Sequence, residues 1–284
     1  MPSAATDLVL QAPVIGAADV ATIAVLCGAQ GIHAQNRATH PSFRLTRIES
    51  RTGVAERCAE ASVDYAFVPS EQKLERVRVV AIDMDSTLIT IECIDEIADL
   101  VGVKREVAAI TGAAMRGEID FAESLTRRVS LLAGLDNSML ERVYDERLKL
   151  SPGAERMLDG FKAVGAKTLL VSGGFTFFTD RLKARLGFDS ALANSLETAG
   201  GKLTGRVMPP IVDGKAKAER LASLRARYAG DGGISVAVGD GANDLPMFAE
   251  ADISVAYRAK PIVRERATYA IDCCGLDAAL NLFG

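Results

Sequence analysis

The chain has 284 residues, 49% of them hydrophobic and 25% charged, with no tryptophan, an ordinary balance for a folded protein with room for one large or two modest domains. A net charge of −4 and a pI near 5.4 carry no basic footprint, so nucleic acid is not an expected partner. No apolar run approaches the ~20 residues of a membrane-spanning helix, and the first residues lack the basic and apolar regions of a secretory signal, so a cytoplasmic protein without membrane contact is expected.

Residues 1–72 read as a unit of their own. Leu8 to Leu10 is strand-like, Ala17 to Cys27 is a helix of small residues, and Ile32 to Gln35 and Phe43 to Ile48 are strand-like. Val54 to Ala61 is helical and Tyr65 to Val68 again strand-like. The order βαββαβ is that of a small α+β ferredoxin-like domain. Glu71 to Arg76 is charged and is expected to link this unit to residues 73–284.

Val77 to Ile82 is a short valine-rich run of the kind that forms a buried parallel strand. Asp83-Met84-Asp85-Ser86-Thr87 follows it directly. In open α/β sheets ligands bind beyond the carboxyl ends of the strands. Two acids at that place are costly unless a metal ion or a lysine from elsewhere pairs with them. A solvated turn in which Ser86 or Thr87 caps a helix is the plainer alternative.

From Glu92 to Leu150 the pattern turns helical, with periodic apolar positions such as Ile94, Ile97, Ala98 and Val101. Ser151-Pro152-Gly153 marks a return. A second apolar strand, Ala166 to Val171, runs into Ser172-Gly173-Gly174, where a hydroxyl and two glycines let backbone N–H groups approach an anion. Asp213-Gly214-Lys215 offers a cation, although a lone lysine is usually a solvated surface charge, and after a third strand Gly239-Asp240-Gly241-Ala242-Asn243-Asp244 offers oxygen ligands of the type Mg²⁺ takes, with a plain surface turn as the alternative. Five cysteines (Cys27, Cys58, Cys93, Cys273, Cys274) have no metal-ligand spacing and are expected to be reduced. Cys93 lies near the acidic turn, and a small buried hydrophobe is the expected role.

These four turns, in this order, resemble the motifs of the haloacid dehalogenase superfamily of phosphohydrolases, from about Val77 onward. The resemblance implies a Rossmann-like α/β core with a helical cap over about 92–150. Asp83 is then the nucleophile and Asp85 the general acid/base. Mg²⁺ is held by Asp83, Asp85 (through its backbone carbonyl) and Asp240. Asp244 binds a metal-ligated water or orients Lys215, and Lys215, Ser172, Gly173 and Asn243 contact the phosphate. Within that superfamily the cap segment resembles the phosphoserine phosphatases. Glu92 and Arg128 would there hold the amino and carboxylate groups of O-phosphoserine, and Met115 and Phe121 would line the pocket. A bidentate arginine–carboxylate pair with an acid–ammonium pair selects a zwitterion. The N-terminal unit resembles ACT-type amino-acid-binding modules, though without a specific motif, and a homodimer stays open. A phosphatase or phosphotransferase for another small phosphate, such as phosphothreonine or a sugar phosphate, is the nearest rival. A binding protein on a degenerate scaffold is a further one, but such a chain has no need of Asp83, Asp85, Lys215 and Asp240 together.

Overall fold

A computed structural model describes residues 5–284. Its first six elements are β1 (Thr6–Gln11), α1 (Ala17–Cys27), β2 (Gly31–Gln35), β3 (Ser42–Thr46), α2 (Val54–Glu60) and β4 (Asp64–Pro69). They form the expected ferredoxin-like unit, an antiparallel sheet in the order β2-β3-β1-β4. Strand residues alternate between faces, and both faces are covered. Leu8 and Leu10 pack with Ile23, Cys27, Val54 and Cys58 from the two helices. Val9, Ala66 and Val68 belong instead to the core of the larger part, together with Val77, Leu276, Leu282 and Phe283.

The stretch expected as a linker is anchored. Gln72 is 7% exposed. Its Nε2 donates to the Leu282 carbonyl at 2.9 Å and its Oε1 accepts from the Tyr269 hydroxyl at 3.0 Å. Nearby, the Asp64 carboxylate accepts the backbone N–H groups of Asp272, Cys273 and Cys274, and Arg37 donates to the Phe283 carbonyl at 2.6 Å. Buried backbone groups need partners; here the N-terminal unit supplies them to the last turn of the chain.

The larger part opens with β5 (Val77–Asp83), followed by the cap helices α3 (Cys93–Leu100), α4 (Lys104–Met115), α5 (Phe121–Ser130) and α6 (Ser138–Arg142). Then come α7 (Ala154–Ala163), β6 (Lys167–Phe175), α8 (Thr176–Leu186), β7 (Ser190–Ala199), β8 (Lys202–Met208) and α9 (Gly214–Tyr228). Next are β9 (Ile234–Gly239), α10 (Leu245–Glu250), β10 (Ile253–Tyr257), α11 (Pro261–Arg264) and β11 (Tyr269–Ile271), and a 3₁₀ helix over Leu276–Leu282 comes last. The seven strands are ordered β11-β10-β9-β5-β6-β7-β8. All neighbours run parallel except the β7–β8 hairpin.

β5 is buried on both sides. Val80 and Ile82 belong to one core with Leu158 and Phe161 of α7, while Val79 and Ala81 belong to a second with Leu221 and Leu224 of α9, which is why its sequence is continuously apolar rather than alternating. The cap leaves and rejoins the core at one place. Ile89 and Leu150 form an antiparallel bridge, and Ser151 N donates to the Leu88 carbonyl at 2.9 Å. Asp120 caps α5 by accepting from Glu123 N at 2.8 Å, and Leu125 and Val129 of that helix are buried. All five cysteines are free thiols, Cys93 buried at 1% exposure. Among the described residues no helix is long and apolar enough to cross a membrane.

Candidate active site

Three adjacent strands, β9, β5 and β6, end together, so the turns that follow them converge by register alone. Asp83 is the last residue of β5. The chain then makes a wide turn over Met84–Leu88 in which Ser86 takes φ 55°, and Asp85 swings back into the same cleft. Ser172, Gly173 and Gly174 close β6, and Asp240 follows β9.

The lysine that meets these acids is Lys217. The Lys215 side chain is 82% exposed and lies 3.8 Å from Glu219 on its own helix, so it does not reach the site. Lys217 is fully buried; its Nζ donates to Asp83 Oδ1 at 2.5 Å and to Asp244 Oδ1 at 2.8 Å. The reason is helical phase. α9 starts at Gly214, capped by Asp213, whose carboxylate accepts from Ala216 N at 2.9 Å. Its buried stripe is Lys217, Leu221 and Leu224, the i, i+4, i+7 spacing of a core-facing helix. Two residues are about 200° apart at 3.6 residues per turn, which puts Lys215 on the far side. Lys217 in phase with two leucines is the signal that would have found it.

The acids are individually committed. Asp85 accepts from Cys93 N at 2.8 Å and from Ser172 Oγ at 3.0 Å, and Ser172 Oγ in turn accepts from Gly174 N at 2.8 Å. A Cβ on Gly174 would stand 2.7 Å from Asp85 Oδ2, so only glycine lets these two turns touch. Thr87 Oγ1 donates to Asp240 Oδ1 at 2.9 Å, and Gly241 N to Asp244 Oδ2 at 3.0 Å. Thr87 therefore orients an acid rather than capping a helix. Asn194, at 0% exposure, went unnoticed in the sequence. Its side chain donates to the Gly173 and Val212 carbonyls and accepts from Val212 N, tying the Ser172 turn to the approach to α9.

One oxygen each of Asp83 and Asp240 stays out of this network: among the described residues Asp83 Oδ2 and Asp240 Oδ2 accept no hydrogen bond. Asp83, Asp240 and Asp244 offer carboxylate oxygens within 4.8 Å of one another. A hard divalent cation fits this all-oxygen set, with Asp83 and Asp240 facing it and Asp244 held back by Lys217. Charge repulsion shows in the protonation equilibria. Burial, then Asp244, raises the Asp83 carboxyl well above the usual range, against the pull of Lys217. Burial and then Asp244 push Asp240 up to about 6. Burial also raises Asp85, although Cys93 and Ser172 hydrogen-bond its charged form. For Lys217, burial disfavours the charge, but Asp244 and Asp83 outweigh it and raise the ammonium.

Opposite this floor the cap encloses a cleft of about 580 Å³, lined among others by Glu92, Met115, Phe121, Arg128, Gly173 and Asn243. Arg127 points away and pairs with Glu123 at 2.5 Å. Arg128 is half-buried; its only hydrogen bond among the described residues is a long one of 3.4 Å from Nε to the Ser124 carbonyl of its own helix. Glu92 sits at the rim, where Ser86 Oγ donates to it at 2.7 Å. Desolvation in the cleft, then Asp85, pushes it up to about 7. The Phe121 ring edge packs on Gly173, whose absent Cβ would lie 2.8 Å from it. Met115 lines the opening and is 66% exposed. A wider groove of about 810 Å³ lies between α2, β4 and β11; of the acids that line it, Asp272 pairs with Arg264 at 2.8 Å and Asp64 holds three backbone N–H groups.

Residues 80–249 match the model of the haloacid dehalogenase-like hydrolases. A protein named phosphoserine phosphatase from Polaromonas sp. is 53% identical over 215 residues, which cover 74% of this chain and 91% of that protein. A solved structure of a probable phosphoserine phosphatase from Vibrio cholerae, in unliganded form, is 35% identical. It superposes with a TM-score of 0.82 over 98% of this chain and 86% of the other. A phospho-aspartyl intermediate analogue of phosphoserine phosphatase is 39% identical, with a TM-score of 0.67 over 73% of this chain and 99% of the other.

Proposed function

Since the chain belongs to the haloacid dehalogenase-like hydrolases, we infer that it is a phosphatase that hydrolyses O-phosphoserine to serine and phosphate, the last step of serine biosynthesis. The observation that carries this reading is the pairing of Asp83 with Lys217 on the cleft floor, under a cap that presents an acid and an unpaired arginine. An alkyl phosphate has a poor leaving group, and covalent catalysis divides the task into two easier steps. Asp83 forms a bond to phosphorus through a carboxylate oxygen while the bond from phosphorus to the serine oxygen breaks. Asp85 gives its proton to that departing oxygen, and burial raises its carboxyl above the usual range, the direction an acid requires. In the second step Asp85 takes a proton from water, the water oxygen bonds to phosphorus, and the aspartyl phosphate cleaves to restore Asp83.

Mg²⁺ held by Asp83 and Asp240, with the Asp85 main-chain carbonyl, supplies the charge that lets a carboxylate approach a phosphate dianion. Lys217, Ser172, Gly173 and Asn243 stabilise charge on the transferring phosphoryl group. Glu92 receives the ammonium and Arg128 the carboxylate of the substrate. Phosphate release from O-phosphoserine, compared with phosphothreonine and a sugar phosphate and measured with and without Mg²⁺, tests the reading. Preference for phosphoserine and loss of turnover in chelator are expected. Equal turnover of all three esters would remove the amino-acid assignment.

A further inference from the structure

The cleft that must admit an anion is walled by acids. Asp83, Asp85, Glu92, Asp95 and Asp240 line it, and the buried cation beneath them is already shared between Asp83 and Asp244. Among the described residues, two other basic ones line the cavity: Arg128 on the cap, and Lys260 on the core. Lys260 is exposed and forms no ion pair among the described residues. Its Nζ rests 3.8 Å from Met115 Sδ, across the opening, where cap and core meet. A thioether is a weak acceptor, so the charge of this ammonium is unspent. Its root is fixed, because the Lys260 carbonyl accepts from Val263 N at 2.9 Å and Arg264 N at 3.1 Å as α11 begins.

We propose that Lys260 is a substrate-recognition residue, the cation at the mouth that draws a phosphate monoester dianion past the acidic rim toward Asp83. Clefts lined by charge focus the field and raise the local concentration of the oppositely charged ligand; here one fixed cation counters a rim of the wrong sign. An arriving anion takes the ammonium from Met115. This rests on the phosphatase reading above. It assigns Lys260 to the phosphate that all such esters share, whereas Arg128 answers only to a carboxylate.

The test is steady-state kinetics of Lys260→Met and Lys260→Arg on O-phosphoserine and on p-nitrophenyl phosphate, which has no carboxylate. At low salt the methionine variant should raise KM about tenfold for both esters, with kcat changed less than about twofold. The arginine variant should stay close to the parent. Raising ionic strength should close the gap, because exposed charges are screened over about 10 Å at 0.1 M salt. An unchanged KM, a loss that ignores salt, or a loss confined to phosphoserine overturns the assignment. If the parent enzyme hydrolyses neither ester, the phosphatase reading itself fails.

Discussion

The two halves of the cleft are built in opposite ways. On the core side each carboxylate receives at least one donor: Lys217 for Asp83 and Asp244, Thr87 for Asp240, and Ser172 with Cys93 N for Asp85. On the cap side, among the described residues, Arg128 reaches no partner beyond its own helix and Glu92 takes only a serine hydroxyl. The groups that do chemistry are thus oriented in advance, so no reorganisation is needed as charge develops. Arg128 and Glu92, proposed above to recognise the substrate, are left for the substrate to complete. A leaving amino acid can then be released without dismantling the reaction centre.

Substitutions on the core side should be the more damaging. Asp83→Asn should abolish turnover, since an amide is a very poor nucleophile toward phosphorus; release of phosphate near the parental rate would sink the nucleophile role. Next in size is Lys217→Met, which leaves Asp83 and Asp244 buried without their ammonium. Breaking a buried pair on one side costs about 3–5 kcal/mol, to be read from denaturant unfolding alongside lost activity. Lys215→Met, on an 82% exposed side chain, should shift stability by less than about 0.5 kcal/mol. The reverse outcome for the two lysines would return the role to Lys215.

Across the cleft, effects should fall on affinity. Arg128→Ala should raise KM for phosphoserine by the equivalent of about 2–5 kcal/mol and leave a carboxylate-free ester nearly untouched. Similar weakening of both would make Arg128 structural. The smallest effect is one of pH. Glu92 is pushed up to about 7 by burial and by Asp85, so its carboxylate prevails only above that pH and is lost as pH falls through it. Because kcat/KM reports the free enzyme, it should decline toward acid for phosphoserine, with a midpoint at or below about 7 where a bound cation favours the charged form. Glu92→Gln should flatten that limb, and a limb that persists belongs to another group.

What the sequence revealed follows from the range over which each feature is determined. Strand ends and their acids were legible because Val77 to Asp83, Ala166 to Ser172 and Val236 to Asp240 are local patterns, and neighbouring parallel strands carry them to one edge. The six elements of the N-terminal unit were legible for the same reason. Lys215 was expected where Lys217 stands, since finding the right lysine requires knowing which side of α9 meets the sheet. Leu221 and Leu224 encode that only when the helix is read from its start. Asn194 was invisible, because nothing near a lone asparagine reports that Gly173 and Val212 will flank it. The second face of the N-terminal sheet was missed too. Val9, Ala66 and Val68 look like ordinary strand residues, and their partners lie at the opposite end of the chain.

That last packing has a consequence for how the protein is made. Residues 276–283 fill the space between the N-terminal sheet and the core, and Arg37 meets the Phe283 carbonyl across 246 positions of sequence. A contact of such separation forms late, since the intervening chain must first be ordered. During synthesis, at roughly 5–20 residues per second, the sheet emerges with one side clothed by its own helices and the other bare. It must wait on the order of ten seconds or more for the segment that covers it. Throughout that interval Val9, Ala66 and Val68 face water, and the nascent chain is most exposed to association with its neighbours. Shielding by the ribosome or a chaperone would matter most there, well before Asp83 has any substrate to meet.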